Sequence, residues 1–521
     1  MSGGTEAAWP EADRQSAMAQ PTPPRRRPQS AHIVMPCPFI TLSGHHQARF
    51  LLAAPAPGGK PLSAADFMAG ECGCNLPAAT PVPDAPCHAA PGPRRRQIAH
   101  QDQVTVTGTA IGIDVGTSGV RAVLAGSGGL QLATASAPLA QAESRDPAAW
   151  WQAVEHALAA LAASSDLSGL RAMAVDGTSG TVLMLDDTGQ PIGPASLYND
   201  PAPQEALRAV AAAAPAGSTA RGAASPLAKL MAMQHAPGAT CLAHQADWIA
   251  ARLGARPGTS DENNALKTGY DPVLRSWPGW LRELGIRTTL LPHVVEPGTP
   301  IGTIDRALAS RFGLPANVVI AAGTTDGCAA FLATGADGVG QAVTSLGSTL
   351  TLKQLSERPV FAPEYGVYSH RLGNRWLAGG ASNSGGAALA RHFSPAALAS
   401  LSARIDPAVA SGLDYYPLPG PGERFPVADP HLPPRETPRP PDDLRFLHGL
   451  LEGIARIEAL GYRRLSELGG PKLVSVRTLG GGAGNAAWAA IRRQTLGVEL
   501  IRARSEQAAL GAAVLAVSAI R

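Results

Sequence analysis

Charge and aromatics are both scarce: of 521 residues, 16% are charged and 5% aromatic, and the formal net charge is +3. So even a balance supplies no broad field for nucleic acid or for an anionic membrane, which points to a small-molecule partner. No run reaches the roughly 18 apolar residues that a spanning helix needs, so a soluble chain is expected. Cysteine is rare and uneven. Four of the six (Cys37, Cys72, Cys74, Cys87) fall in the first hundred residues, leaving Cys241 and Cys328 for the rest. Two isolated thiols offer no disulfide framework and fit a reducing, cytoplasmic setting. Cys72, Cys74, Cys87 and His88 can be drawn as zinc ligands, but the C-x-C spacing and Pro-rich surroundings speak against a site. Also missing is any Gly-x-x-x-x-Gly-Lys-Ser/Thr string, which excludes P-loop chemistry.

The length predicts two or three domains, each able to bury a core. Residues 1–103 differ in texture from the remainder. They hold 16 of the 47 prolines, two Arg triplets (Arg25–Arg27 and Arg94–Arg96) and no sustained apolar period. Such a segment buries too little surface to offset its ordering entropy, so a disordered extension is expected. Its start lacks a basic stretch followed by an apolar one, unlike a secretory signal, and Glu6, Glu11 and Asp13 argue against a transit peptide. A translation start assigned too far upstream would explain the segment equally well.

From Thr109 the pattern is that of an α/β protein. Ala110–Asp114 and Val120–Ala125 read as a β-hairpin about a Gly-rich turn. Trp150, Trp151, Val154, Leu158 and Leu161 recur at helical spacing behind Asp146-Pro147, an N-cap and a favoured first-turn proline. Ala172–Val175, Val182–Leu185 and Val318–Ala322 read as strands, and Leu444–Leu468 as a long amphipathic helix.

Four Gly-rich, hydroxyl-bearing turns carry the candidate chemistry. The first, Ile111-Gly-Ile-Asp114-Val-Gly116-Thr117-Ser118-Gly119-Val-Arg121, lets backbone amides and hydroxyls approach phosphate oxygens. Asp114 at the strand end suits a magnesium ion held mostly through water. A plain hairpin turn is the structural alternative. The second, Gly323-Thr324-Thr325-Asp326-Gly327, places one carboxylate beyond a buried strand where a helix begins. Phosphoryl transfer needs such a group to accept a hydroxyl proton and align its oxygen, although an Asp there also serves as a helix cap. The third is Thr344-Ser345-Leu346-Gly347-Ser348-Thr349, and the fourth Gly480-Gly481-Gly482-Ala483-Gly484-Asn485, opening a helix at about 486–495 whose N-terminus favours negative charge.

The order of these turns is more specific than any one of them, and it resembles the FGGY carbohydrate kinases over about 413 residues. The resemblance implies two actin-like, ribonuclease-H-like ATPase domains with an inter-domain cleft, at 109–335 (sugar and base) and 336–521 (nucleotide). It implies ATP and Mg²⁺ as cofactors, a small sugar as the other partner, and a homodimer as a candidate assembly. By the resemblance, Asp326 is the base and Asp114 serves the metal and substrate. Gly116, Thr117, Ser118 and Arg121 fall to the cofactor with Gly347, Ser348 and Thr349, and Gly379-Gly380, Gly385-Gly386, Gly481-Gly482 and Asn485 line the nucleotide.

Within the family, Asp176-Gly-Thr-Ser179-Gly-Thr181, Tyr198-Asn199-Asp200, Gln245-Ala-Asp247-Trp248 and Ser260–Asp271 look closest to the plant and cyanobacterial D-ribulose kinases. Ser179, Asp200 and Asn264 are accordingly expected on the sugar. Xylulokinases usually carry Gln-Met-His where this chain has Thr178-Ser179-Gly180, so the expected reaction is D-ribulose to D-ribulose 5-phosphate. D-xylulose or another polyol is the alternative acceptor. A catalytically silent actin-like sensor is the alternative of another class, and the presence of both Asp114 and Asp326 speaks against it.

Overall fold

The computed structural model of the chain describes residues 108–520. The disorder and zinc readings made for residues 1–103 lie outside the described residues. Two six-stranded sheets dominate. The first is built from β1 (Thr109–Val115), β2 (Gly119–Ala125), β3 (Gln131–Pro138), β4 (Leu170–Gly177), β5 (Pro300–Thr303) and β6 (Val319–Thr325). The second comprises β7 (Gln341–Leu346), β8 (Leu350–Ser356), β9 (Tyr368–Leu372), β10 (Arg375–Ser382), β11 (Ser475–Leu479) and β12 (Glu499–Ile501).

Their topologies correspond. The first sheet runs β3-β2-β1-β4-β6-β5, with β1, β2 and β3 antiparallel and β1, β4 and β6 parallel. The second runs β9-β10-β8-β7-β11-β12, with β7, β8 and β10 antiparallel and β7, β11 and β12 parallel. A strand, its hairpin partner and a parallel return occur in the same order twice, which is the duplicated α/β fold expected from the sequence.

Strand alternation decides what each face of the first sheet carries. Ile111, Ile113 and Val115 point to the helix Pro147–Ser164, whose Trp150, Val154, Leu158 and Leu161 are buried against them. The cap reading holds there: the Asp146 side chain accepts from the amide of Ala148. The opposite face carries Ala110, Gly112 and Asp114, and small residues on it admit the C-terminal helix Ala508–Ser518. A side chain at Gly112 would overlap the Ala509 carbonyl and the Ala513 amide. The last helix therefore belongs with the first sheet, a departure from the linear division at residue 335. The second sheet is covered by the helix Asp443–Glu467, burying Phe446, Leu447, Leu450, Leu451 and Ile454.

A helical insertion between β4 and β5 adds its own core around Val182, Leu227, Leu230 and Leu242. It forms a wall that faces the second sheet's β9 region, and a large concavity opens there. None of the described helices is long and apolar enough to cross a membrane.

Candidate active site

Three strands of the first sheet end in acids. Asp114 and Asp176 are register partners on parallel β1 and β4, and Thr324 of β6 pairs with Asp176 two residues before Asp326. The register of β6 shifts between Ala321 and Thr324, where Gly323 lets the backbone pass the Val175 carbonyl. Asp326 is the first residue of the helix Asp326–Ala333, whose N-cap is Thr325. Its Oδ1 accepts from the adjacent amide of Gly327 at 2.6 Å. That contact leaves the side chain at the helix entrance.

Electrostatics mark the cluster. Burial pushes the Asp114 carboxyl above its usual range, with the charge of Asp326 adding to it; Asp176 and Arg121 oppose the shift. Arg121 is exposed and sits opposite Asp114 in the hairpin register. Asp176 is fully buried, neither of its oxygens has a donor, and burial holds its carboxyl well above the ordinary carboxylate range, reinforced by Asp114 and Asp326. In the sequence it stands inside a longer string, Val175-Asp176-Gly177-Thr178-Ser179-Gly180, which repeats the Ile113-Asp114…Gly116-Thr117-Ser118-Gly119 turn with one residue fewer.

One cavity of about 770 Å³ lies between the insertion and the β9 region, with Ser179, Tyr198, Ser218, Lys267 and Tyr368 on its walls. Burial lowers the Lys267 ammonium, and the nearby charge of Asp326 opposes that shift. Burial pushes the Tyr368 phenol up; Lys353 opposes that shift, and Cys328 and Asp326 add to it. The acid therefore lies within electrostatic reach of the cavity wall on one side and of Asp114 on the other. A Cβ at Gly327 would stand 2.5 Å from the Lys353 ammonium, so a second cation approaches the same helix start from β8.

A second cavity of about 800 Å³ is formed by the third and fourth Gly-rich turns with the helix Pro395–Ser402. Gly347, Ser348, Gly386, Gly481, Gly482 and Asn485 all line it, so the structure gathers these six of the residues expected on the cofactor. The loop before Gly386 lies directly on the third turn: the Leu350 amide donates to Ser384 at 2.7 Å and the Gly386 amide to Gly347 at 2.8 Å. Gly385, at φ +136°, permits that approach, since a Cβ would stand 2.9 Å from the Thr349 carbonyl carbon. Asn485 caps the helix Ala486–Leu496 through the amide of Trp488 and donates to Ser402.

Other predicted residues line neither cavity, Asp114, Gly116, Thr117, Ser118, Arg121, Asp326 and Gly385 among them. Asp200 is an ion-pair partner, with its oxygens taken by Arg145 and by the amide of Leu197. Asn264 spends its amide on Asp261 at 2.6 Å, and neither residue lines the sugar-side cavity. Gly380 makes room for the ring of Phe425, which a Cβ would meet at 2.8 Å, so packing explains it. Thr349 stands outside the lining of the nucleotide-side cavity. Sequence spacing located these positions near the site without fixing which way each side chain turns.

The FGGY family of carbohydrate kinases is matched by its N-terminal domain at residues 109–218 and by its C-terminal domain at 342–520, together more than half of the chain. The chain belongs to this family. Among curated relatives, the xylulose kinase of Escherichia coli K12 is 28% identical over 285 residues, covering 51% of this chain and 58% of that protein. The xylulose kinase of Streptomyces coelicolor is 29% identical over 277 residues, covering 48% and 54%. The chain thus spans less than two thirds of these relatives. Among solved structures, the xylulose kinase from Brucella ovis superposes with a TM-score of 0.70 at 25% identity, covering 79% of this chain and 90% of that one. A gluconate kinase from Lactobacillus acidophilus shares the fold, with a TM-score of 0.69 at 18% identity over 79% and 89%.

Proposed function

We propose that the chain transfers the γ-phosphoryl group of ATP to a terminal hydroxyl of a ketopentose, with D-ribulose as the first candidate acceptor. One observation carries this reading: Asp326 opens the helix after β6, beside the strand ends that carry Asp114 and Asp176, and the chain runs on from Asp176 to Ser179 of the cavity wall. A base there faces an acceptor on one side and the phosphates on the other.

In this scheme the acceptor lies in the cavity walled by Ser179, Tyr198 and Tyr368, with the Lys267 ammonium as a donor to its oxygens. Asp326 accepts the hydroxyl proton as the oxygen bonds to the γ-phosphorus and the bond to the β,γ-bridging oxygen breaks, leaving ADP. Amides of the Gly116–Ser118 and Gly347–Thr349 turns hold the transferring group, whose charge they meet without reorganising. Closure of the two domains excludes water, which would otherwise compete as nucleophile.

The residues present fit a magnesium ion. Asp114 is a strand-end carboxylate beside other acids, and no set of three or more His, Cys, Asp or Glu suited to a metal occurs among the described residues. Magnesium needs only one or two carboxylates beside phosphate oxygens. Asp114 would hold it, and it would supply neutralisation of phosphate charge.

For the acceptor, Gly180 is the informative position. It stands at φ +101°, a backbone region that side chains strain, so the usual xylulokinase His has no counterpart at this point of the loop. That favours ribulose. The names of the relatives favour the second reading, D-xylulose. A panel of D-ribulose, D-xylulose, L-ribulose and glycerol, with ADP formation followed, separates them. D-ribulose is expected to give the highest kcat/KM; a tenfold advantage for D-xylulose, about 1.4 kcal/mol in the transition state, overturns the choice. ADP release that no sugar stimulates overturns the kinase reading itself.

A further inference from the structure

Asn264 was one of the expected sugar contacts, but its neighbour Asn263 has the more consequential side chain. Asn263 is 1% exposed and sits in the short helix Glu262–Ala265, held at its start by Asp261, whose Oδ1 accepts from the Asn263 amide at 2.8 Å. Its carboxamide reaches across the cleft to β9. Oδ1 accepts from the Arg371 amide at 3.0 Å, and Nδ2 donates to the Arg371 carbonyl at 3.0 Å. β9 is the edge strand of the second sheet, so these are groups that no neighbouring strand satisfies. The side chain adds one more rung to that edge, and the donor–acceptor pattern of a peptide group permits only this orientation of the amide.

The same Nδ2 also donates to Thr324 Oγ1 at 3.0 Å. Thr324 is fully buried in β6, two residues before Asp326. Both amide hydrogens and one oxygen lone pair are therefore used, on partners from the two sheets. Beside this link, Glu262 lies 3.9 Å from the Arg371 guanidinium and 2.7 Å from that of Arg275, and Arg371 also donates to the Pro272 carbonyl. Arg371 is thus a point at which the second sheet is tied to the first domain, and Asn263 continues that tie to the strand that precedes the base.

We propose that Asn263 is a positioning residue for phosphoryl transfer: its carboxamide fixes the Thr324–Asp326 segment against the edge of the nucleotide domain, so that the base stays aligned with the phosphates. The inference rests on the kinase reading given above. A displacement of about 1 Å at a reacting group costs as much as ~100-fold in rate, whereas acceptor binding depends on other walls of the cavity.

The test uses the full chain and three variants, Asn263→Leu, Asn263→Asp and Thr324→Val, with whichever sugar the panel selects. Asn263→Leu is expected to lower kcat about 10- to 100-fold while the sugar KM stays within about threefold. The ratio of sugar phosphate formed to ATP consumed is expected to fall as well, because a misaligned base lets water compete. Asn263→Asp keeps the acceptor for the Arg371 amide and loses both donors, so its kcat should lie between. Thr324→Val is close in shape and leaves the Arg371 pairing intact, so it reports on the link to the base if Asn263→Leu does not fold. A drop in kcat and coupling in Thr324→Val supports the proposal. Full kcat and coupling in the folded Asn263 and Thr324 variants, or a kcat loss with unchanged coupling, overturns it. If the unaltered protein phosphorylates no sugar, the kinase reading fails instead, and the two failures are distinct.

Discussion

The two sheets share one strand order and differ in what their strand ends present. In the first, β1, β4 and the helix start after β6 end in carboxylates: Asp114, Asp176 and Asp326. In the second, the corresponding ends of β7 and β11 run into Gly347-Ser348-Thr349 and Gly480-Gly481-Gly482. Buried charge is distributed the other way. Asp176 has no donor to either oxygen, whereas the second domain buries Glu458 against Arg492, with contacts of 2.6 and 2.7 Å. Thr344 and Tyr462 extend that network, Thr344 donating to Glu458 and sharing a hydrogen bond with Tyr462. A duplicated scaffold thus holds an acid without a donor where chemistry is proposed and a fully paired buried charge in the second domain. The lesson is that the same topology supplies the ends of strands, and the residues placed there decide the role.

The sharpest way to break this comparison is to remove the acid at the first sheet's helix start. Asp326→Asn should lower sugar phosphorylation by about a thousandfold or more, the range of a positioned general base. ATP binding, measured by calorimetry, should be largely kept, since Asp326 lines neither wall of the nucleotide-side cavity. Retained turnover would remove Asp326 from the mechanism.

Next in size is a contrast in stability. Arg492→Met leaves Glu458 buried without its partner and should cost about 3–5 kcal/mol in urea denaturation. Asp176→Asn keeps the size of a side chain whose oxygens meet no donor and should change stability by less than about 1 kcal/mol. An Asp176→Asn loss as large as that of Arg492→Met would mean that Asp176 is a paired charge, and the contrast between the domains would collapse.

Much of this fold was legible because its signals are local. The hairpin about Gly116–Gly119, the Asp146 cap and the amphipathic period of residues 444–468 each depend on residues within a few turns of one another. The two gatherings of Gly-rich turns were also legible, since glycine runs at strand ends restrict what the backbone there can do. The return of the helix Ala508–Ser518 to the first sheet was not legible: it depends on Gly112 admitting Ala509 and Ala513, and on Gly511 admitting the Ala329 backbone, all far apart in sequence. Side-chain direction was equally hidden. Asn263 and Asn264 are adjacent and chemically identical, and only the entry angle of one short helix sends the first across the cleft and the second onto Asp261. Asp176 was discoverable, because its string repeats that of Asp114.

The smallest effect concerns Asp261, which caps that helix in the first domain. It is 2% exposed, accepts from Asn263, and takes the Asn264 amide on its Oδ2. Burial pushes its carboxyl up to about 7, with the charge of Asp247 adding to the shift and the Asn264 and Asn263 hydrogen bonds opposing it. The folded value lies above the unfolded one of about 3.9. Folding therefore favours the protonated acid: the stabilisation is complete below about pH 4 and is lost as pH rises through about 7. In Asp261→Asn the Oδ1 cap survives, and a turned Asn264 amide can meet the new one, but nothing titrates. The advantage of the unaltered protein over this variant, read from thermal midpoints, should then shrink steadily from pH 5 to pH 8, by a few degrees in all. A difference that stays constant over that range would show that Asp261 remains charged in the fold. The first domain's cap would then join the paired charges of the second, and only the acids at the strand ends would remain uncompensated.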